Sequence, residues 1–209
     1  MQLDLDTWIV SDTHYFHDNI IKFTHRDEKS LPKFTAAWTS MIKDYDTVLH
    51  LGDIFMGKGS IQQAKNFIQT LPGQKFFIRG NHDRQPTEFY AHRGWTEIGE
   101  NSRWYWQGWK GKRVLFSHYP DTHDLDWTIN IHGHIHDGGY SPGVPLLDYR
   151  NVSLEAVWRP VRLREVLEGD KYQSRTEAVT WSLSKIYEME RTGRLDERFC
   201  EIERFSGKY

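Results

Sequence analysis

Five short apolar runs in this chain, Thr7 to Val10, Thr47 to Leu51, Lys75 to Ile78, Val114 to Phe116 and Trp127 to Ile131, lead straight into residues bearing carboxylate, amide or imidazole. Runs of that length and content read as strands. The polar segments at their ends are, in order, Asp12-Thr-His14, Gly52-Asp53, Gly80-Asn81-His82-Asp83, Ser117-His118 and Gly133-His134-Ile-His136. In an open α/β sheet, ligand sites collect beyond the carboxyl ends of the strands, so all five segments are expected to meet at one edge. Singly, each motif is weak: an Asp-x-His is most often a polar strand end, and a His-x-His pair is often only solvated, although its rings share one side of an extended segment. Gly-Asn-His-Asp is the most distinctive, because it sets a conformationally permissive glycine beside three ligating or acidic groups.

Between the strand-like runs lie helical patterns. Phe34, Ala37, Trp38, Met41, Ile42 and Tyr45 form one face of a 3.6-residue period. Ile61, Ala64, Phe67, Ile68 and Leu71 form a second, with Ser60 as N-cap and Pro72-Gly73 as terminator. This alternation predicts an α/β fold. Arg103 to Gln107 and Lys112 to Phe116, around Gly108 and Gly111, read as an antiparallel hairpin, which makes the sheets mixed. Val152, Leu154, Ala156 and Trp158 alternate as a further strand, and Leu163 to Leu167 as a short helix. The organisation expected is one domain over residues 1–170 and a charge-balanced, partly helical extension over 171–209, with Val179, Leu183, Ile186 and Tyr187 as its stripe.

Composition narrows the partners. A net charge of −2 provides no global field for nucleic acid or an anionic membrane, so any anion site must be local. One cysteine excludes a thiolate zinc site and an internal disulfide, and suits a reducing compartment. The amino-terminal residues lack the cationic and long apolar regions of a signal peptide, and no apolar stretch is long enough to span a bilayer, so a cytoplasmic location without membrane contact is expected. Arg103-Trp-Tyr-Trp-Gln-Gly-Trp-Lys-Gly-Lys-Arg interleaves aromatics with cations as a single-stranded nucleic-acid platform would, but Trp104 and Trp106 also fit the buried face of a hairpin, the favoured reading.

Convergence of the five motifs would bring together Asp12, His14, Asp53, Asn81, His118, His134 and His136. Carboxylate, amide oxygen and imidazole suit divalent manganese, iron, zinc, cobalt or nickel. Seven ligands are too many for one ion with an open position. Two ions about 3.5 to 4 Å apart need a bridging carboxylate, and Asp53, in the middle of the order, is the candidate.

In this order, over roughly residues 7 to 168, the motifs resemble those of calcineurin-like metallophosphoesterases. The resemblance implies two packed mixed sheets flanked by helices, a four-layer sandwich. It assigns Asp12, His14, Asp53 and His136 to one ion, and Asp53, Asn81, His118 and His134 to the other. His82 matches the histidine, not a ligand, that the family sets against the leaving group. Ser11 to Ile21, with His17 and Asn19, looks like a branch of small bacterial and phage members. Phosphoprotein phosphatases of the family carry Asp and Arg where this chain has Met56 and Gly57, which disfavours that activity. The residues beyond about 170 are too few and too polar for the capping region of the nuclease branch.

Two divalent ions outweigh Asp12, Asp53 and a bridging hydroxide by about one positive charge, which attracts a phosphoryl oxygen. The expected function is therefore hydrolysis of small phosphate mono- or diesters by in-line attack of that hydroxide, with manganese first among the ions and His82 donating to the departing oxygen. The alternatives are a scaffold subunit on the same fold, or a nuclease or nucleic-acid end phosphatase. His17, Asn19 and Arg26 read either as contacts to substrate phosphate or as solvated loop residues, and His50 as a core histidine. Substrate and oligomeric state are not legible.

Overall fold

The computed structural model describes residues 1–56, 61–121, 126–136 and 148–169. The predicted extension over 171–209 and the N-cap Ser60 lie outside the described residues. Along the chain run β1 (Trp8–Val10), α1 (Ser30–Met41), β2 (Thr47–His50), α2 (Ile61–Phe67), β3 (Gln74–Phe77), α3 (Thr87–Ala91) and β4 (Trp95–Glu97). They are followed by β5 (Arg103–Trp109), β6 (Lys112–Ser117), β7 (Ile129–His132), β8 (Asp148–Asn151), α4 (Leu154–Val157), β9 (Val161–Arg162) and α5 (Leu163–Glu168).

Two sheets result. One has five strands in the order β4-β3-β2-β1-β9, parallel except for β9; the other has four in the order β5-β6-β7-β8, parallel except for β5. Alternation along each strand divides its side chains between two cores. Trp8, Val10, Val48 and Phe77 face the helices, with Phe34 and Trp38 of α1, Ala64 of α2 and Tyr90 of α3. Ile9, Leu49, Leu51 and Ile78 face the other way, against Val114 and Phe116 of β6 and Ile129 and Ile131 of β7. The expected pair of packed mixed sheets with flanking helices is present.

This arrangement sets the carboxyl ends of β1, β2 and β3 beside those of β6 and β7. Each of the five motifs follows one of those ends, so a single edge of the sandwich receives all of them.

Two local expectations need adjustment. The first helix ends at Met41, and Tyr45, placed on its apolar face by periodicity, is 77% exposed beyond it. Residues 152–158 do not form the strand their alternation predicts: Leu154–Val157 is a helical turn closed by Trp158 at φ 59°, which leaves Trp158 exposed and carries Glu155 inward. A short apolar alternation fits either geometry locally, and the buried polar contacts of Glu155 decide it. Trp104 and Trp106 do pack against the inter-sheet core. Trp109, a buried member of that core with Lys110 and Lys112 over its ring, sits at the hairpin turn, six residues or roughly 20 Å along β6 from His118. Only the Trp109 end of the cationic aromatic stretch lies away from the motif cluster: at the other end Arg103 pairs with Ser117, and Ser102 O accepts the His118 N–H at 3.2 Å.

Candidate metal centre

The loops after β1 and β2 continue the parallel ladder beyond the strands. Asp12 N–H donates to Gly52 O, His14 N–H to Asp53 O and Tyr15 N–H to Ile54 O, at 3.0 to 3.1 Å. Thr13 Oγ1 adds a bond to Ile54 O at 2.8 Å. Locked together in this way, the loops hold conformations that L-residues rarely adopt. Among the described residues, ten non-glycine residues have left-handed φ, and five of them are Asp12, His14, Asp53, His134 and His136. Each such residue costs on the order of 1–3 kcal/mol and persists only where surrounding contacts over-determine it, a pattern typical of functional sites.

All seven sequence-predicted ligands come together, in overlapping groups. Ligating atoms of Asp12, His14 and His136 lie within 4.8 Å of one another, as do those of Asp53, His118 and His134, and those of His14, Asp53 and His82. Asp53 is the shared member: its Oδ2 lies 3.4 Å from His14 Nε2, 3.4 Å from His118 Nε2 and 3.9 Å from His82 Nε2. Its Oδ1 is occupied by the His82 backbone N–H at 2.8 Å. Asn81 Oδ1 and His134 Nδ1 complete the group around His118 Nε2, at 2.9 and 3.2 Å. Asp12 ties the sheets together here, accepting the His134 N–H on both carboxylate oxygens.

Electrostatics track the geometry. Burial opposes the charge on Asp53, but the surrounding His118, His14 and His82 hold its carboxyl well below the usual range. For His118 burial likewise opposes the charge, and Asp53 and Asp12 outweigh it, raising the imidazole to about 9. The metal-free cluster thus takes a proton where a cation could sit. His14 is driven well down by burial, despite Asp53, and neither of its ring nitrogens has a hydrogen-bond partner. Burial also lowers His82 and His17, whose rings stand 5.2 and 5.5 Å from that of His14.

Supporting residues surround the cluster. Gly80 approaches so closely that a Cβ would lie 2.2 Å from Asp53 Oδ1, and one at Gly133 would lie 2.2 Å from Asp12 Oδ2, so neither position admits a side chain without displacing a carboxylate. Asp83, read from sequence as either support or a turn residue, is buried and accepts N–H bonds from Asp53 at 2.7 Å, Gly80 at 2.9 Å and Ile54 at 3.0 Å. Burial and the charge of Asp53 push its carboxyl up to about 7 against those donors. Asp83→Asn leaves one oxygen for three donors on two sides and turns an NH2 group toward an N–H. It is expected to cost about 1–3 kcal/mol in urea unfolding; unchanged stability would show that these bonds do not anchor the loops.

Other assignments shift. Arg26 is neither solvated nor turned toward a substrate: it is buried, donating to Thr13 O at 3.0 Å, to Asp12 O, and to Glu155 Oε1 at 2.5 Å. Glu155, which carried no signal in sequence, also meets His136 Nδ1 at 3.0 Å. Burial resists its charge, but His136 and Arg26 bring it to about 2. His17 does border the cluster, with a buried Nδ1 lacking a partner, whereas Asn19 is exposed. His50 is the core histidine expected, bonded to Thr13 Oγ1 and to Gly52 N–H. Tyr119, without a signal in sequence beside His118, sets its ring 4.3 Å from that of His134 at a tilt of 55° and stays 40% exposed beside the site.

A family model described as calcineurin-like phosphoesterase matches residues 5–175. The chain belongs to the calcineurin-like phosphoesterase family. Members of this family generally are hydrolases that bind divalent metals, in keeping with the clusters described. Among family relatives, the chain is 29% identical over 170 residues to an uncharacterized protein of Methanocaldococcus jannaschii, spanning 75% of this chain and 86% of that one. It is 31% identical over 161 residues to the Gene 66 protein of Mycobacterium phage L5, spanning 63% of this chain and 77% of the phage protein. A protein of unknown function from Aquifex aeolicus shares the fold, with a TM-score of 0.61 and 23% identity over 78% of this chain and 97% of its own. No helix among the described residues is long and apolar enough to cross a membrane.

Proposed function

We propose that this phosphoesterase-family protein hydrolyses small phosphate mono- or diesters with two divalent cations, manganese first among them. The observation that carries the reading is Asp53 Oδ2, equidistant at 3.4 Å from His14 Nε2 and His118 Nε2. One carboxylate oxygen serves two groups of lone pairs. Asp12, His14, Asp53 and His136 would hold one ion, and Asp53, Asn81, His118 and His134 the other.

The residues fit such ions on their own terms. Both nitrogens of buried His14 lack partners, a loss of about 1–3 kcal/mol apiece for a group with nothing to bind. His118 Nδ1 is taken up by Leu51 O at 2.8 Å, so once Nε2 gives up its proton to make room for a cation, its lone pair points at oxygens of Asn81 and Asp53. Acceptors facing acceptors, mixed between imidazole and oxygen, are a donor set for borderline divalent metals.

When bound, such ions polarise phosphoryl oxygens and bring the pKa of water toward neutrality. His82 stands at the rim, its side chain 19% exposed, its backbone pinned to Asp53 Oδ1 and its Nε2 3.9 Å from Asp53 Oδ2, from where it would protonate the departing oxygen. His17, beside His14 and His82, orients a phosphoryl oxygen through its unpartnered Nδ1. A cytoplasmic location goes with this reading, since one cysteine in 209 residues suits a reducing compartment.

Purified protein with manganese is expected to cleave an aryl phosphodiester or monoester, to stop on chelation and to resume when manganese is restored. A panel of monoesters, linear diesters and cyclic nucleotides then ranks the substrates. Folded, manganese-loaded protein that cleaves none of them would overturn the hydrolase reading in favour of a scaffold.

A further inference from the structure

We infer that Arg26 and Glu155 are positioning residues for one cation site only, the one formed by Asp12, His14 and His136; this rests on the reading of that cluster as a metal site. Their side chains are 1% and 0% exposed and meet at 2.5 Å, although 129 residues separate them in sequence. A buried ion pair is retained at little cost only when its remaining donors and acceptors are also used. Here the remaining contacts end on the cluster or on the residue between its members. Arg26 Nη1 donates to Thr13 O at 3.0 Å and Nη2 to Asp12 O, while both Glu155 oxygens take His136 Nδ1, at 3.0 and 3.1 Å.

The pair restrains that site in two ways. The guanidinium pins carbonyls on the stretch where Asp12 and His14 take left-handed φ of 54° and 48°. The carboxylate, by accepting from Nδ1, fixes the His136 tautomer and leaves its Nε2 lone pair for a cation. The pair makes no direct hydrogen bond to Asp53, Asn81, His118 or His134 of the other cluster. That cluster's equivalent restraint is the Leu51 carbonyl on His118 Nδ1, supplied by the backbone of the same sheet edge. Disabling the ion pair should therefore separate the two sites.

Manganese titrations of the full chain by calorimetry, with electron paramagnetic resonance for stoichiometry, test this. Wild type is expected to bind two ions, and fewer than two counts against the metal reading itself. Glu155→Gln is expected to weaken one ion by roughly 10–100-fold and leave the other at wild-type affinity. Arg26→Lys, which keeps the charge but not the fork across two carbonyls, should weaken the same ion less. Two undiminished ions in Glu155→Gln overturn the positioning role alone. A structural role without positioning would not set a tautomer, so long-range proton–nitrogen spectra of metal-free wild type in mildly alkaline buffer provide a check independent of variant folding. His136 protonated at Nδ1 is the expected result; protonation at Nε2 overturns the inference.

Discussion

Asp53→Asn is expected to abolish tight binding of both cations while leaving the metal-free fold intact. The substitution is nearly isosteric, and Asn tolerates the left-handed φ of 58° at this position. Its oxygen can keep the 2.8 Å bond from the His82 N–H, which puts the NH2 group where Oδ2 was. There it faces His14 Nε2 and His118 Nε2, each 3.4 Å from the original oxygen, as a donor in place of an acceptor. A shared anionic ligand is lost from both ions at once, so each should weaken by more than about 100-fold, beyond what loss of a supporting contact costs. Calorimetry with manganese, paired with a thermal melt of the metal-free protein, reads both halves of the expectation. Selective loss of one ion would show that the carboxylate is not shared.

The complementary case is His82→Ala, which should retain both ions and lose roughly 10²–10⁴-fold in kcat, the usual span for a positioned general acid. Retention is expected because the bond from residue 82 to Asp53 Oδ1 comes from the backbone and survives the substitution. The His82 ring, 3.9 Å from Asp53 Oδ2, is farther from it than those of His14 and His118. The loss should depend on the leaving group: large for an alkoxide, which must be protonated, and small for a nitrophenolate, which need not be. Wild-type rates on a poor leaving group would remove the role. Loss of an ion would make His82 a ligand instead, as its proximity to His14 and Asp53 would then require.

Much of the architecture was legible because the strands announce themselves. Apolar runs of three to five residues, largely buried on both faces, leave little local ambiguity when each is punctuated by glycine and polar residues. The ends were less secure. Tyr45 fits the helical period and is nonetheless solvent-exposed, since periodicity does not register that the chain has already turned at Lys43 and Asp46. Residues 152–158 were misread because alternation over so few positions is compatible with a single helical turn. Strands β4 (Trp-Thr-Glu), β8 (Asp-Tyr-Arg-Asn) and β9 (Val-Arg) present no apolar run, and exist because neighbouring edges were available to pair with.

The site divides along similar lines. The identity, order and spacing of the seven candidate ligands and of His82 were determined by sequence, because each immediately follows a strand and a parallel sheet sends such residues to one edge. Tertiary structure alone decided the rest. Arg26 reads in sequence as either a phosphate contact or a solvated loop residue, and Glu155 as the outward face of a strand, yet they form the buried pair behind His136. Asp83, which in sequence reads as either support or a turn residue, holds three backbone donors of the two loops it joins. The left-handed backbone at Asp12, His14, Asp53, His134 and His136 is equally invisible to local propensity. Such features depend on partners up to 129 residues away, and the free energy that sustains a buried charge or a disfavoured dihedral comes from those partners, not from the neighbours in sequence.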